Sequence, residues 1–283
     1  MGALPLAILA SLIWGSAFAA AKFGLADCPP LLFLVTRFLV AGAIMLGWAA
    51  LRGIRTSQRE LAMLAGLGVI NFATYLGLTN LALAHVPSAI VAAVIGVNPV
   101  CTVAAGAVLL GETPTPRARV ALALGLAGVA VVTLPRVLDA PPGAAGGYAM
   151  ALGGLAALSL GTVLFRRFGT RAEPVLANAV QSLGAGLALI PASALSERWG
   201  DLALSPAFLA SQAWLIGIVS IVGYMLWFRM LRSGSLAAAA VVQFTLPPLG
   251  LAYGALLHGE TLTVTDIAGL APILCALVVI NRR

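Results

Sequence analysis

Two basic side chains lie within long apolar runs of this 283-residue chain, where a charge needs a partner. Lys22 falls near the end of the first run, and Arg37 falls near the start of the second. A charge at the centre of a bilayer costs on the order of 3 kcal/mol on insertion scales. Either side chain can hold the carboxylate of a small molecule in a cavity between helices. In the alternative interpretation both reach the outer headgroups or pair with Asp27, which removes most of that cost.

Amides and aromatic rings recur on shared helical faces and would complete such a binding site. Spacings of three and four residues group Asn71, Thr74, Tyr75 and Leu78, then Asn178, Gln181 and Ser182, then Ser220, Tyr224 and Trp227. Polar groups avoid lipid, so these faces should point inward, either as interhelical hydrogen bonds or as cavity lining. The candidate substrate-binding residues are Trp14, Lys22, Arg37, Asn71, Tyr75, Asn98, Tyr224, Trp227 and Gln243.

Prolines interrupt two of the apolar runs near their middles. Pro99 lies in the fourth run, and Pro247 and Pro248 lie in the ninth. A proline inside a helix removes one backbone hydrogen bond and clashes with the carbonyl four residues earlier. The three prolines therefore predict either static kinks or hinges that gate a cavity.

The composition indicates that lipid is the solvent for most of the chain. It is 61% hydrophobic and only 9% charged, with a mean hydropathy of +1.06, whereas a soluble domain carries about 25% charged residues. A membrane-spanning helix needs roughly 20 apolar residues. Ten such runs predict an all-α integral membrane protein, with the first run kept as a helix. The runs are 3–25, 31–51, 61–83, 87–110, 117–135, 146–165, 174–195, 207–228, 235–257 and 263–281.

The placement of basic residues predicts the orientation of the chain and argues against nucleic-acid binding. In a ten-helix arrangement, twelve arginines fall on one side of the membrane. They are Arg52, Arg55, Arg59, Arg117, Arg119, Arg166, Arg167, Arg171, Arg229, Arg232, Arg282 and Arg283. The other side has Arg136 and Arg198 together with most of the acidic residues. Positive residues favour the cytoplasmic side, so we expect both termini in the cytoplasm.

An internal repeat divides the chain into two halves. The pattern from Pro99 to Thr113, which ends in Gly-Glu-Thr, returns from Pro247 to Thr261 at an offset of 148 residues. We expect two five-helix units, 1–140 and 141–283. Because five is odd, equivalent helices must cross in opposite directions, so the repeat is predicted to be inverted around a central cavity. Such repeats commonly work by alternating access.

Several motifs together resemble the EamA family of the drug/metabolite transporter superfamily. They are Trp14-Gly15-Ser16-Ala17-Phe18, Lys22, Arg37-Phe38 and the block from Pro99 to Gly111-Glu112-Thr113. In the second half Gly161-Thr162 stands where Gly15-Ser16 does, without counterparts of the tryptophan and the lysine. The resemblance implies a transporter of the cell inner membrane that exports amino acids and other small metabolites.

The expected function is therefore secondary export of a small molecule, with no cofactor or metal and no nucleic-acid partner. No acidic residue lies centrally in a span, which favours a facilitator or exchanger. A proton-coupled drug or metabolite antiporter is the alternative. A membrane enzyme at the outer face would have to use His85, His258, Glu260 and Asp266, which lack a recognised catalytic spacing. The fifth and tenth helices lack charged or amide side chains centrally and belong at the lipid-facing rim or at a homodimer contact.

Overall fold

The computed structural model describes residues 3–83, 85, 86, 91, 94–138, 145–168, 172–226, 245–259 and 263–281, and all regular structure in them is helical. The α-helices are α1 Ala3–Gly24, α2 Pro30–Leu51, α3 Gln58–Gly68, α4 Tyr75–Leu83, α5 Asn98–Leu110, α6 Pro116–Leu138, α7 Ala145–Phe168, α8 Pro174–Ser196, α9 Pro206–Trp214, α10 Leu246–His258 and α11 Val264–Asn281. Two π-helical segments, π1 Val69–Thr74 and π2 Leu215–Gly223, continue α3 and α9, and a 3₁₀ turn covers Trp199–Asp201.

A helix lies within each of the ten predicted runs. Five helical stretches in the described residues have the length and the apolar composition to cross a membrane: Pro30–Leu51, Gln58–Leu83, Ala145–Phe168, Pro174–Ser196 and Pro206–Leu226. The protein is therefore an all-helical membrane protein. The complete set of ten spans stays a prediction.

Three helices of the second half begin at the repeat offset from their counterparts in the first. Helix α3 begins at Gln58 and α9 at Pro206, while α6 begins at Pro116 and α11 at Val264. Helices α5 and α10 match at both ends, and each is followed by a glycine in the left-handed region, Gly111 at φ 68° and Gly259 at φ 65°. This conformation suits glycine and ends a helix.

The first Gly-Glu-Thr corner begins the next helix as its sequence predicts. The Thr115 hydroxyl accepts a hydrogen bond from the Ala118 amide at 3.2 Å, and Pro116 occupies the first position of α6. This cap uses one of the amides that lack a partner at a helix start. The side chain of Glu112 forms a salt bridge of 2.7 Å with Arg166 at the end of α7. Of the second corner, Glu260 and Thr261 lie outside the described residues.

Helices α2 and α8 pack against each other in an antiparallel pair. Near the start of α2, Leu31 contacts Glu197, which follows the end of α8. Near the other end of α2, the Met45 sulfur contacts the Asn178 amide early in α8. Glycines permit the close approach, because a Cβ at Gly42 would lie 2.7 Å from the Leu183 side chain.

Helices α6 and α11 form the second such pair. A Cβ at Gly128 would lie 2.7 Å from Ile273, and a Cβ at Gly269 would lie 2.4 Å from Val132. The chain positions rise on one helix as they fall on the other, so this pair is also antiparallel.

Candidate functional site

A cavity between the helices collects most of the polar side chains that the sequence singles out. Its empty space measures about 970 Å³, which includes space open at its mouth. The described lining comes from α1, α2, π1, α4, α7, α8, π2, the first residue of α10 and residues beside these elements, and it includes no described residue of α6 or α11. The polar lining residues are Arg37, Asn71, Tyr75, Asn80, Thr162, Gln181 and Tyr224.

The two π-helical segments lie on the cavity wall and determine which side chains face it. A π-helix closes hydrogen bonds from i to i+5, so the residues after it are rotated relative to a continuous α-helix. The predicted face of the third helix is therefore wrong in part. Thr74 is exposed and donates its hydroxyl to the Val69 carbonyl at 2.9 Å, and Leu78 packs beside Gly153 outside the cavity. Asn71 and Tyr75 remain on the lining.

Aromatic rings from three helical stretches form one wall. The Trp14 and Tyr224 ring centroids are 5.3 Å apart, and those of Phe72 and Tyr224 are 4.5 Å apart. Phe72 also stacks on Phe38 at 5.5 Å. Such a wall offers an apolar and polarisable surface to a bound molecule.

Arg37 places the only basic group of the described lining next to this wall. Its side chain is 5% exposed, and its Nε donates to the Ser220 hydroxyl of π2 at 2.9 Å. The guanidinium carbon lies 5.4 Å from the centre of the Phe38 ring, a distance at which a cation is attracted to a ring face.

A pair of side-chain amides links π1 to α8. The Asn71 side-chain amide donates to the side-chain oxygen Oε1 of Gln181 at 3.3 Å. Asn71 can sit there because Gly161 has no side chain: a Cβ at that position would lie 2.0 Å from the Asn71 Oδ1. The absence of a side chain at Gly161 therefore leaves the space in which Asn71 lines the cavity wall.

The other residues of the predicted inward faces hold helices together. Asn178 is fully buried, and its amide donates to the Ser220 carbonyl at 2.7 Å. Asn98 is also buried, and its side-chain oxygen accepts from Thr102 and from Ser159 of α7 at 3.1 and 2.8 Å. It is absent from the cavity lining, although its predicted role in binding has not been tested.

The remaining candidates lie away from the lining or outside the described residues. Lys22 is exposed in the last turn of α1 and is not on the lining. Trp227 and Gln243 lie outside the described part of the chain. Pro99 is in the first turn of α5, directly after a turn at Val97, and Pro247 and Pro248 are in the first turn of α10. The three prolines thus begin helices, and whether they act as hinges stays a prediction.

Three polar lining residues are not among the sequence candidates for binding. The sequence candidates omit Asn80 and Thr162, although each is a polar side chain within an apolar run. The sequence pattern places Gln181 on an inward face but does not indicate a role in binding. The helical spacing from Asn71 gave no signal for Asn80, because π1 changes the register between them.

Comparisons with known proteins agree with this architecture. The EamA-like transporter family matches residues 1–134 and 145–282. The chain is 29% identical to the "Uncharacterized inner membrane transporter YedA" of Escherichia coli strain K12, over 95% of this chain and 87% of that protein. It is 26% identical to the "Probable amino-acid metabolite efflux pump" of Salmonella typhimurium, over 96% of this chain and 92% of that protein.

A solved structure shares the fold. That crystal structure matches with a TM-score of 0.80 at 20% identity, and the match covers 99% of this chain and 96% of the other. The matched family covers nearly every residue from the first helix to the last, including all the helices that line the cavity. This chain belongs to the EamA-like transporter family.

Proposed function

We propose that the protein is a ten-span secondary transporter that exports small metabolites across the inner membrane by alternating access, with amino acids as the first class to test. The observation that carries the proposal is the cavity itself. It lies between elements of both halves, has an aromatic wall, and contains one buried cation and several amides. A transporter needs a central site with these properties.

The contacts between the halves support an inverted repeat. Helices α2 and α8, which are equivalent in the two halves, pack antiparallel, and so do the equivalent helices α6 and α11. Helix α1 packs against α9 of the second half, and the equivalent helix α7 packs against π1 and α4 of the first half. A two-fold axis in the membrane plane, exchanging residues 1–140 with 141–283, relates each of these contacts to an equivalent one.

The relatives support the direction and the substrate class. The Salmonella protein is named for efflux of amino-acid metabolites and the Escherichia coli protein for the inner membrane. The distribution of arginines in the sequence supports cytoplasmic termini. In the proposed arrangement, the pair of α6 and α11 lies at the rim of the bundle, in contact with lipid or with a second copy of the chain.

The direct test is flux through the purified protein in liposomes. Vesicles loaded with labelled amino acids should release them faster than protein-free vesicles, with and without a pH gradient. A pH gradient that drives release against the solute gradient would favour the proton-coupled antiporter. Equal rates with and without protein across a broad panel of amino acids and related acids would refute the proposal.

Two matched substitutions link any flux to the cavity. Ala17 lines the cavity, so Ala17→Trp should fill part of it and reduce flux at least tenfold. Ala127 is exposed on α6, away from the cavity, so Ala127→Trp should leave flux within about twofold. Flux that survives Ala17→Trp at full rate would place the solute path elsewhere.

A further inference from the structure

The charge of the cavity is not balanced within the described part of the chain. There the Arg37 guanidinium has one hydrogen bond, from Nε to Ser220, and it forms no ion pair. Its two terminal nitrogens therefore have no hydrogen-bond acceptor among the described residues. Buried charges in proteins are normally paired, because an unpaired one carries the full cost of desolvation. An anion that enters the cavity would supply the missing partner.

Further hydrogen-bond donors lie around the guanidinium. Tyr75 and Tyr224 line the same cavity as Arg37. The Tyr75 hydroxyl makes no hydrogen bond to any residue the structure describes. A planar guanidinium beside phenol groups matches the geometry of a carboxylate, which accepts two parallel hydrogen bonds from the arginine.

A substrate ammonium group meets no counter-charge in the described lining of the cavity, because none of those residues is acidic. The Asn71 and Gln181 amides are engaged with each other. An ammonium near Arg37 would therefore meet a like charge together with neutral acceptors and ring faces only. The cavity fits an anion better than a zwitterion.

We propose that the cavity selects small organic monoanions, namely carboxylates whose amino group is absent or acylated and whose apolar body packs on the aromatic wall. Arg37 binds the carboxylate, and Tyr75 contributes a second donor. The inference rests on the proposed function, since it takes the cavity to be the site from which substrate is carried.

The test is a binding series of three ligands that share the phenylalanine skeleton and differ in the charges at their amino and carboxyl groups. Phenylalanine, N-acetylphenylalanine and phenylalanine amide are titrated calorimetrically into the purified full-length protein in detergent at pH 7. We expect N-acetylphenylalanine to bind at least tenfold more tightly than phenylalanine, and the amide to bind most weakly. Equal affinity for the N-acetyl acid and the amide, or no binding by any of the three, would overturn the inference.

Substitutions assign the preference to a residue. Arg37→Gln should remove the advantage of the N-acetyl acid over the amide, and Arg55→Gln, at an exposed position between α2 and α3, should preserve it. Tyr75→Phe keeps the ring and removes one donor, so it should weaken binding of the N-acetyl acid severalfold even if Arg37→Gln fails to fold. Loss of the preference in Lys22→Gln but not in Arg37→Gln would show that the assignment to Arg37 is wrong.

Binding and flux separate this inference from the proposed function. Selective binding of the anion without any flux in liposomes would refute transport and leave the anion site intact. Flux of phenylalanine and of its amide at equal rates would support transport and refute selection for an anion.

Discussion

The crossing of α3 and α8 allows a sharp test of how the cavity wall is built. Gly68 ends α3, and a Cβ at this position would lie 2.1 Å from the Gln181 carbonyl oxygen and 2.6 Å from its Cα. These are backbone atoms, so no side-chain rotation relieves the overlap. Because carbon and oxygen normally stay about 3.3 Å or more apart, Gly68→Ala must push the two helices apart by roughly 1 Å.

The expected cost follows from that displacement. Overpacking of a well-packed interior costs about 1–3 kcal/mol, and an overlap with rigid backbone belongs at the upper end. The separation also weakens the Asn71–Gln181 hydrogen bond, a contact of a kind worth about 0.6 kcal/mol in membrane proteins. Alanine recovers about 1 kcal/mol of helix propensity. The net loss of stability should be on the order of 2.5 kcal/mol.

Gly66 provides the matched control, because it lies two residues earlier on the same helix and a Cβ there meets nothing within 4 Å. Gly66→Ala should be neutral or slightly stabilising. In thermal unfolding in detergent, Gly68→Ala should melt about 5–10 °C below the wild type, if each kcal/mol shifts the midpoint by about 2–4 °C. If Gly68→Ala melts at or above the temperature of Gly66→Ala, the packing argument fails.

Three further predictions concern the contact of Glu197 with the start of α2, the buried thiol of Cys28 and the effect of a membrane potential on flux. Glu197 accepts hydrogen bonds from the Leu31 and Leu32 amides at 2.7 and 2.8 Å. Glu197→Ala should therefore lower the free energy of unfolding by about 1–2 kcal/mol in the same melting assay. Glu173 is exposed and makes no capping bond, so Glu173→Ala should change it little. Burial, followed by the charge of Glu197, raises the pKa of the Cys28 thiol from 9.0 to about 12. Since only the thiolate reacts, maleimide labelling of Cys28 at pH 8 should be at least 100-fold slower in the folded protein than in SDS, and fast labelling of the folded protein would contradict its placement. Export of a monoanion without a proton moves one charge, so an inside-negative potential of 100 mV, worth about 2.3 kcal/mol, should sustain a concentration outside that is roughly 50-fold higher than inside. A valinomycin-imposed potential without effect on flux would exclude this mode.

The sequence predicts the helices well because their physical cause is local. Apolar runs of the right length must become helices in lipid, where each backbone group needs a partner within the chain. The described helix bounds accordingly fall close to the predicted runs, except that α5 and α10 each begin eleven residues after the predicted start. The corner at Gly111 was equally predictable, since a glycine after an apolar run followed by Thr115 and Pro116 is a typical sequence for ending one helix and starting the next.

The details of the site depend on contacts distant in the chain and could not be predicted in the same way. No residue pattern distinguishes π1 from an ordinary helical turn, yet it moves Thr74 to the exposed surface. Likewise Asn71 and Asn98 are both amides within apolar runs. Only the close approach of α7 makes one of them cavity lining and the other a link to Ser159.

The contacts that fix the cavity walls also join the two halves of the chain. Arg37 in the first half is bonded to Ser220 in the second, and Asn71 in the first half is bonded to Gln181 in the second. In each case one partner lies in a π-helical segment, and π1 and π2 overlap at the repeat offset. An anion that binds the terminal nitrogens of Arg37 would lie next to the bond from its Nε to Ser220, whose carbonyl also accepts from Asn178 of α8. Under the proposed alternating access, occupation of the site would therefore act beside a contact between the halves, as coupling of binding to a change of conformation requires.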